Sequence, residues 1–450
     1  MKIRGFPEGR QGEVAFEAQF VARPSRPFVL SGAASNSSSP GATEPVSLRV
    51  QGAVYGIGLF TTSIFHIGSI IIPLYVYTMN PSPLLFGLVF SAAHVLPLLF
   101  SIHAGALMDR LGARRMMFVC TIISAILPLL YPMATWIWAL IVLQMFLGLV
   151  ESMGWIGAQT MIGQYMHGKT LYAGRLSFVI RLGQLVGPPL AGLTWDLFGP
   201  WGAFTLMGAW AAGGFFCALI LPPLAADSRT PGASNAHLRG AKFRALMPKW
   251  SDYLTAFGLL ATPSVALIVI LGSMMHLGNA VQGSFYVAWL KDMGIAGTAI
   301  GLLSPAGAIG AAVFSLMTAP LTRYVSGFWI TLLALWAGIL LVCITPLLGT
   351  YLALQIAMFM RSGMNGLAQP LVITLVLRGA GRSNQGKAIG LRGTANRMAS
   401  IIAPLAMGGI AEVVGLENSF YVVGAIVSAA MTVIAIYLWR HPQVARSGED

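Results

Sequence analysis

From Leu48 to His441 the chain alternates long apolar runs with short polar turns. The runs cover roughly residues 51–78, 83–108, 115–133, 136–163, 175–198, 201–223, 256–290, 296–321, 327–348, 351–377, 386–414 and 418–439. About 20 apolar residues in helical form cross the hydrocarbon core of a bilayer. Each run therefore reads as one spanning helix, and the pattern predicts an all-α membrane protein with twelve transmembrane helices. The longest polar stretch inside this body, Ala225 to Asp252, divides the spans six and six. The expected organisation is a disordered cytoplasmic tail over 1–47, a six-helix bundle over 48–224, a cytoplasmic linker over 225–255, a second bundle over 256–441 and a short tail over 442–450.

The two halves repeat. At a shift of 216 residues Gly187-Pro188 overlays Ala403-Pro404, and the same shift pairs Arg181 with Arg397, Asp196 with Glu412, Gly199 with Gly415, and Phe204 with Phe420. At a shift of 210, His66 and Gly68 in span one overlay His276 and Gly278 in span seven. Ordered matches at near-constant shifts indicate duplication. Two parallel halves related by an axis along the membrane normal are a transporter architecture, with a substrate site near the midplane between them.

Composition agrees with lipid as the main solvent. Of 450 residues, 56% are hydrophobic and 9% charged, against about 25% charged in soluble domains. The net charge of +13 suggests nucleic acid until its placement is read. Arg110 to Arg115, Lys169, Arg175, Arg239 to Lys249, Arg323, Arg378 and Arg440 follow the even-numbered spans, whereas the opposite turns hold one base, Lys291. This bias puts both termini in the cytoplasm and excludes a nucleic-acid partner. The three cysteines, Cys120, Cys217 and Cys343, sit alone in separate spans without metal spacing. The Ser31–Glu44 stretch has the composition of a disordered tail, either regulatory or translated from a start codon placed too early.

The turn after span two reads Gly105-Ala-Leu-Met-Asp109-Arg110-Leu-Gly112-Ala-Arg114-Arg115. It resembles the loop signature of the major facilitator superfamily, between the spans where that family carries it. Gly105 permits close helix approach and Gly112 a tight turn; Asp109 is expected to face the N-terminus of a neighbouring helix, span eleven; Arg114 and Arg115 hold the loop in the cytoplasm. Span five contains Gly183-Gln-Leu-Val-Gly187-Pro188-Pro189-Leu-Ala-Gly192. This is similar to a motif of that superfamily's antiporters, drug exporters in particular, and leans toward efflux; a structural kink is the competing reading. Two departures stand out. Many proton-coupled members carry an Arg in span four where this chain has Gln144, ahead of Gly148. The second-half copy of the loop reads Thr322-Arg323-Tyr324 and has lost its acid.

Ionisable groups inside a span are costly and are candidates for function. Glu151 in span four is the one acid near a span's middle, and Arg361 in span ten is as deep. His66 and His276 lie mid-span in one and seven. The resemblance implies that spans one, four, seven and ten line the central cavity. Gln144, Gly148, Glu151, Trp155 and Gln159 form one helical stripe, Arg361, Asn365 and Gln369 another, and Ser273, His276 and Asn279 a third. Burial disfavours the charged form of a carboxyl, so Glu151 is the expected proton-coupling group. His66 and His276 relay protons, bind substrate, or serve only packing. Arg361 holds an anionic group or pairs with Glu151. Gln144, Trp155, Asn279, Asn365 and Gln369 complete the expected substrate site, and Arg181 and Arg397 read as inner-gate groups. His94 and His103 have no counterparts and read as packing residues.

No Walker loop, metal cluster or nucleophile elbow is present, so no cofactor and no enzymatic activity are expected. The reading favoured is a monomeric, proton-coupled secondary transporter of a small organic solute in the cell inner (plasma) membrane, with efflux preferred. A passive facilitator of the same fold is favoured by Gln144. A non-transporting scaffold or sensor is disfavoured by the cost of the deep polar groups.

Overall fold

The computed structural model describes residues 46–166, 169–222, 257–380 and 385–446. The expected tail up to residue 45 and the linker lie outside them. Among the described residues every regular element is helical, as hydrocarbon demands of a backbone that finds no water to bond.

Twelve helices run in chain order: α1 (Leu48–Thr78), α2 (Pro83–Leu111), α3 (Ala113–Ile126, extended by a 3-10 turn to Leu130) and α4 (Ile137–Met166). The rod Thr170–Ile220 comes next and breaks at Gly199 into α5 (170–198) and α6 (200–220). Then follow α7 (Pro263–Asp292, with a π turn over Gln282–Tyr286), α8 (Gly297–Leu321), α9 (Gly327–Cys343), α10 (Tyr351–Ala380), α11 (Gln385–Val414) and α12 (Leu416–Arg440). Nine of the described rods meet the length and apolarity of a span. The difference from twelve has three sources. The rod 170–220 holds two helices, α9 has only 17 residues, and α10 is made less apolar by Arg361, Asn365, Gln369 and Arg378.

Local chemistry sets the ends. Ser47 accepts the Val50 N–H and Ser82 accepts the Leu85 N–H, each an N-cap, and Pro83 follows Ser82 at the first helical position. Gly199 at φ 64° and Gly415 at φ 83° occupy repeat-equivalent joints, α5 to α6 and α11 to α12. Only glycine takes that left-handed conformation cheaply, and it reverses the chain without a loop.

Packing within the halves repeats as the sequence does. Helix α1 lies on the α5–α6 rod as α7 lies on α11, α2 on α4 as α8 on α10, and α3 on the rod as α9 on α12. Gly208 of α6 faces the Ala125 carbonyl of α3, and its equivalent Gly424 of α12 faces Cys343 of α9. The outer surface carries large apolar side chains, among them Leu316 at 80%, Val413 at 84% and Trp439 at 76% exposure. So extensive an apolar exterior suits acyl chains and not water.

The halves meet along two seams, α2 with α11 and α5 with α8. Call the end bearing Leu48 and Arg440 proximal and the opposite end distal. In the α2–α11 seam, Gly87 abuts the Pro404 carbonyl and Gly408 abuts the Pro83 carbonyl. In the α5–α8 seam, Gly192 abuts the Gly297 carbonyl and Gly301 the Pro188 carbonyl. Any Cβ at these glycines would collide with backbone, so the sequence's small residues let the distal helices touch main chain to main chain.

Candidate transport site

Glu151 is half-buried on α4 and its side chain makes no hydrogen bond among the described residues. Tyr131, at the end of α3, lies within its electrostatic reach. The expected α4 stripe does not share one environment. Gln144 is 4% exposed and accepts the Tyr131 hydroxyl at 3.3 Å inside the first half. Gly148 is pressed against the Ala93 backbone of α2. Only past Glu151 does the stripe open, with Trp155 and Gln159 exposed. A periodicity of 3.6 sorts residues by face but not by which neighbour covers that face.

Arg361 is turned into the second half. It is 5% exposed, and its Nη2 donates to the Gly278 carbonyl of α7 at 2.9 Å and to Asn279 Oδ1 at 3.1 Å. Asn365 Nδ2 donates to the same Asn279 oxygen at 3.0 Å. Tyr286 and Cys343 act on it electrostatically, and its Nε is buried without a partner. Glu151 is not among its partners, so the two deep charges stand apart. Arg361, Asn279 and Asn365 are brought together; Gln369 is exposed a turn further on.

A different group gathers where the α2–α11 seam ends. Ser91 of α2 donates to the Ile401 carbonyl of α11 at 2.6 Å. One turn toward the proximal end on each helix stand His94 and Arg397. Arg397 Nη2 donates to Ser152 Oγ of α4 at 2.7 Å, across the halves. Arg397 and His276 act electrostatically on His94, and Arg392 and Arg397 act on His276. His94, without a repeat counterpart, thus lies within electrostatic reach of groups on α7 and α11. Arg392 and Asn396 carry no sequence signal beyond lying on an apolar helix; their neighbour Gly272 on α7 shows that they line the α7–α11 contact. His66 stays apart from this cluster, stacked edge-on with Phe65, so the two repeated histidines have unlike surroundings.

The α5 glycines are packing sites. A Cβ at Gly183 would meet Ser63 of α1 and one at Gly187 would meet Ile67; Pro188 is buried at the α8 seam. Arg181 is exposed. Asp196 accepts the Gly297 N–H at 2.9 Å and the Thr298 N–H at 2.7 Å, capping the start of α8. Its equivalent Glu412 accepts the Leu84 N–H at 3.1 Å at the start of α2. Each acid thus holds a helix N-terminus of the other half. In the loop motif, Gly112 turns the chain at φ 85° and the Arg114 Nε is buried without a partner. The side chains of Asp109 and Arg110, and the stretch around Gly105, lie outside the described side chains, as does the expected contact of Asp109 with span eleven. No group of three or more histidine, cysteine or acidic residues suited to a metal occurs among the described residues.

Solved transporters share this architecture. The nucleoside transporter NupG superposes with a TM-score of 0.67 at 14% identity, covering 87% of this chain and 99% of that one. A transporter of the POT family, solved with a thioalcohol-conjugated peptide, gives 0.66 at 14% identity over 88% and 96%. A bacterial homologue of the human lysosomal transporter Spinster, inward-facing and unoccupied, gives 0.63 at 16% identity over 90% and 98%. No curated protein matches the sequence. The Major Facilitator Superfamily profile matches residues 53–277 and again 268–449, one match per repeat. With the doubled profile, the paired six-helix bundles and the seams between them in agreement, the chain belongs to the Major Facilitator Superfamily, and it is a membrane transporter rather than an enzyme.

Proposed function

We propose that the protein is a proton-coupled secondary transporter that moves a small organic solute by alternating access, with Glu151 as the proton-carrying group. The observation that carries this reading is a carboxyl deep in the first half, with Tyr131 near it and, among the described residues, neither a hydrogen bond nor a cation upon it. A deep carboxyl without a counter-ion is costly as a fixed charge but useful as a proton carrier. The expected direction is efflux, on the α5 motif, and the expected setting is a monomer in the plasma membrane with both termini cytoplasmic, on the distribution of bases.

A second reading, a passive facilitator, draws support from Gln144. It fills the position of the arginine that many proton-coupled relatives carry and is engaged with Tyr131 inside the first half. Reconstituted liposomes separate the two. Under an imposed pH gradient, wild-type flux should follow the gradient and Glu151→Gln should lose that dependence. Flux indifferent to the gradient in wild type selects the facilitator. Right-side-out and inverted vesicles report direction.

A further inference from the structure

We propose that the transported solute is an organic anion, a carboxylate or phosphate ester, whose charged group is held by Arg392 and Arg397 together with His276 and His94. This deepens the transporter reading above and rests on it.

Four nitrogen-bearing side chains from three helices converge where the α2–α11 seam gives way. Arg397 reaches across to Ser152 of α4, and Arg392 and Asn396 lie against Gly272 of α7; Arg397 acts electrostatically on both histidines, Arg392 on His276, and His276 on His94. None of the four is hydrogen-bonded or ion-paired to a carboxylate among the described residues; the one side-chain hydrogen bond made by any of them is Arg397 to Ser152. Among the described residues the Arg392 side chain has no hydrogen-bond partner, and its Nε is buried. Beside it the Asn396 Oδ1 is also buried and unsatisfied, an acceptor open to a hydroxyl or amine on the same solute. Two guanidinium groups left in a span without an anion are expensive, and a guanidinium fork is shaped for carboxylate or phosphate.

Comparison of the repeats argues against a scaffold role. The positions on α5 equivalent to Arg392, Asn396 and Arg397 are Leu176, Ile180 and Arg181. Leu176 is buried among apolar residues and Arg181 is exposed. The fold therefore stands without two of the three polar groups at this position, and their presence on α11 calls for another cause. Arg361 does not belong to this cluster: it is turned toward α7, where its Nη2 donates to the Gly278 carbonyl and to Asn279 Oδ1. The cluster also touches both halves, α2 and α4 on one side and α7 and α11 on the other. An anion seated there would bridge them at the point where the seam must open.

The test uses the full-length protein purified in neutral detergent. Thermal melting and direct binding are measured with benzoate, succinate and phenyl phosphate, against benzamide, succinamide and phenol as uncharged counterparts. At least one anion should raise the melting temperature where its counterpart does not. Arg392→Gln and Arg397→Gln should weaken its binding at least about tenfold. Arg392→Lys should recover part of it while losing bidentate geometry, and Arg181→Gln should change nothing. The proposal is overturned if only uncharged compounds bind, if Arg392→Gln binds the anion as wild type does, or if anionic phospholipid alone stabilises the protein. Counterflow of the bound anion in liposomes then separates the two levels. Anion binding without flux sinks the transporter reading and keeps the site; flux of another solute without anion binding does the reverse.

Discussion

Glu151 on α4 and Arg361 on α10, the deep charges of the two halves, meet opposite fates. The acid makes no hydrogen bond among the described residues, whereas the base is enclosed and tied to the α7 backbone. Arg361→Ala should therefore act mainly on stability, removing charged hydrogen bonds worth about 1.5–3 kcal/mol and leaving a hole between α7 and α10. Thermal melting checks this, with exposed Arg181→Ala as the comparison and an expected change within about 0.5 kcal/mol. A second steric prediction concerns Gly148. Any Cβ there runs into the Ala93 carbonyl, so Gly148→Val should cost roughly 1–3 kcal/mol or abolish folding, read as loss of a monodisperse species on gel filtration. Sequence marked Glu151, Arg361 and both repeated histidines as deep because charge inside an apolar run is conspicuous. It could not say that Gln144 turns toward Tyr131, nor that His94 and Arg392 meet around His276. Even Tyr131, only 13 residues from Gln144, lies on another element, and His94, His276 and Arg392 lie on three helices; no spacing encodes which neighbour a face will find.

At the scale of helices, the distal end is held by caps that cross from one half to the other. Asp196 caps α8 and Glu412 caps α2. Such a cap contributes about 1 kcal/mol, and 1 kcal/mol shifts a two-state population about fivefold. Asp196→Asn and Glu412→Gln should each raise distal opening by about that factor. The readout is labelling from the distal side of Ser91→Cys, a seam residue, in a chain freed of Cys120, Cys217 and Cys343. Unchanged labelling in both variants would remove the acids from the gate. Gly192→Leu, which places a side chain against the Gly297 carbonyl, should leave the α5–α8 seam unable to shut, with labelling high in every condition. The acid pair was readable as a repeat, because the same shift that matched them matched the prolines and glycines around them. Their targets were not, since a capping partner depends on how the halves dock.

For the molecule as a whole, twelve helices and two halves were legible because hydrocarbon allows so few solutions to an apolar chain. The boundary between α5 and α6 was placed by composition at the point where Gly199 breaks the rod. The proposed orientation, with both termini cytoplasmic, rests on the bases on one side. Tags placed at each terminus of the intact protein should both be reached by protease only after the cell is permeabilised. Protection of one and not the other would mean an odd number of crossings.

Where Gly87, Gly192, Gly301 and Gly408 lie flat on opposing carbonyls, no knob sits in a socket. Two such faces can slide or lift apart without any side chain first changing its rotamer. Parting them forfeits contact but meets no mechanical catch. In the alternating-access cycle proposed above, the pace at that end would be governed by a few polar clasps and by whatever solute ties the faces together from below, so that the passenger itself becomes the latch.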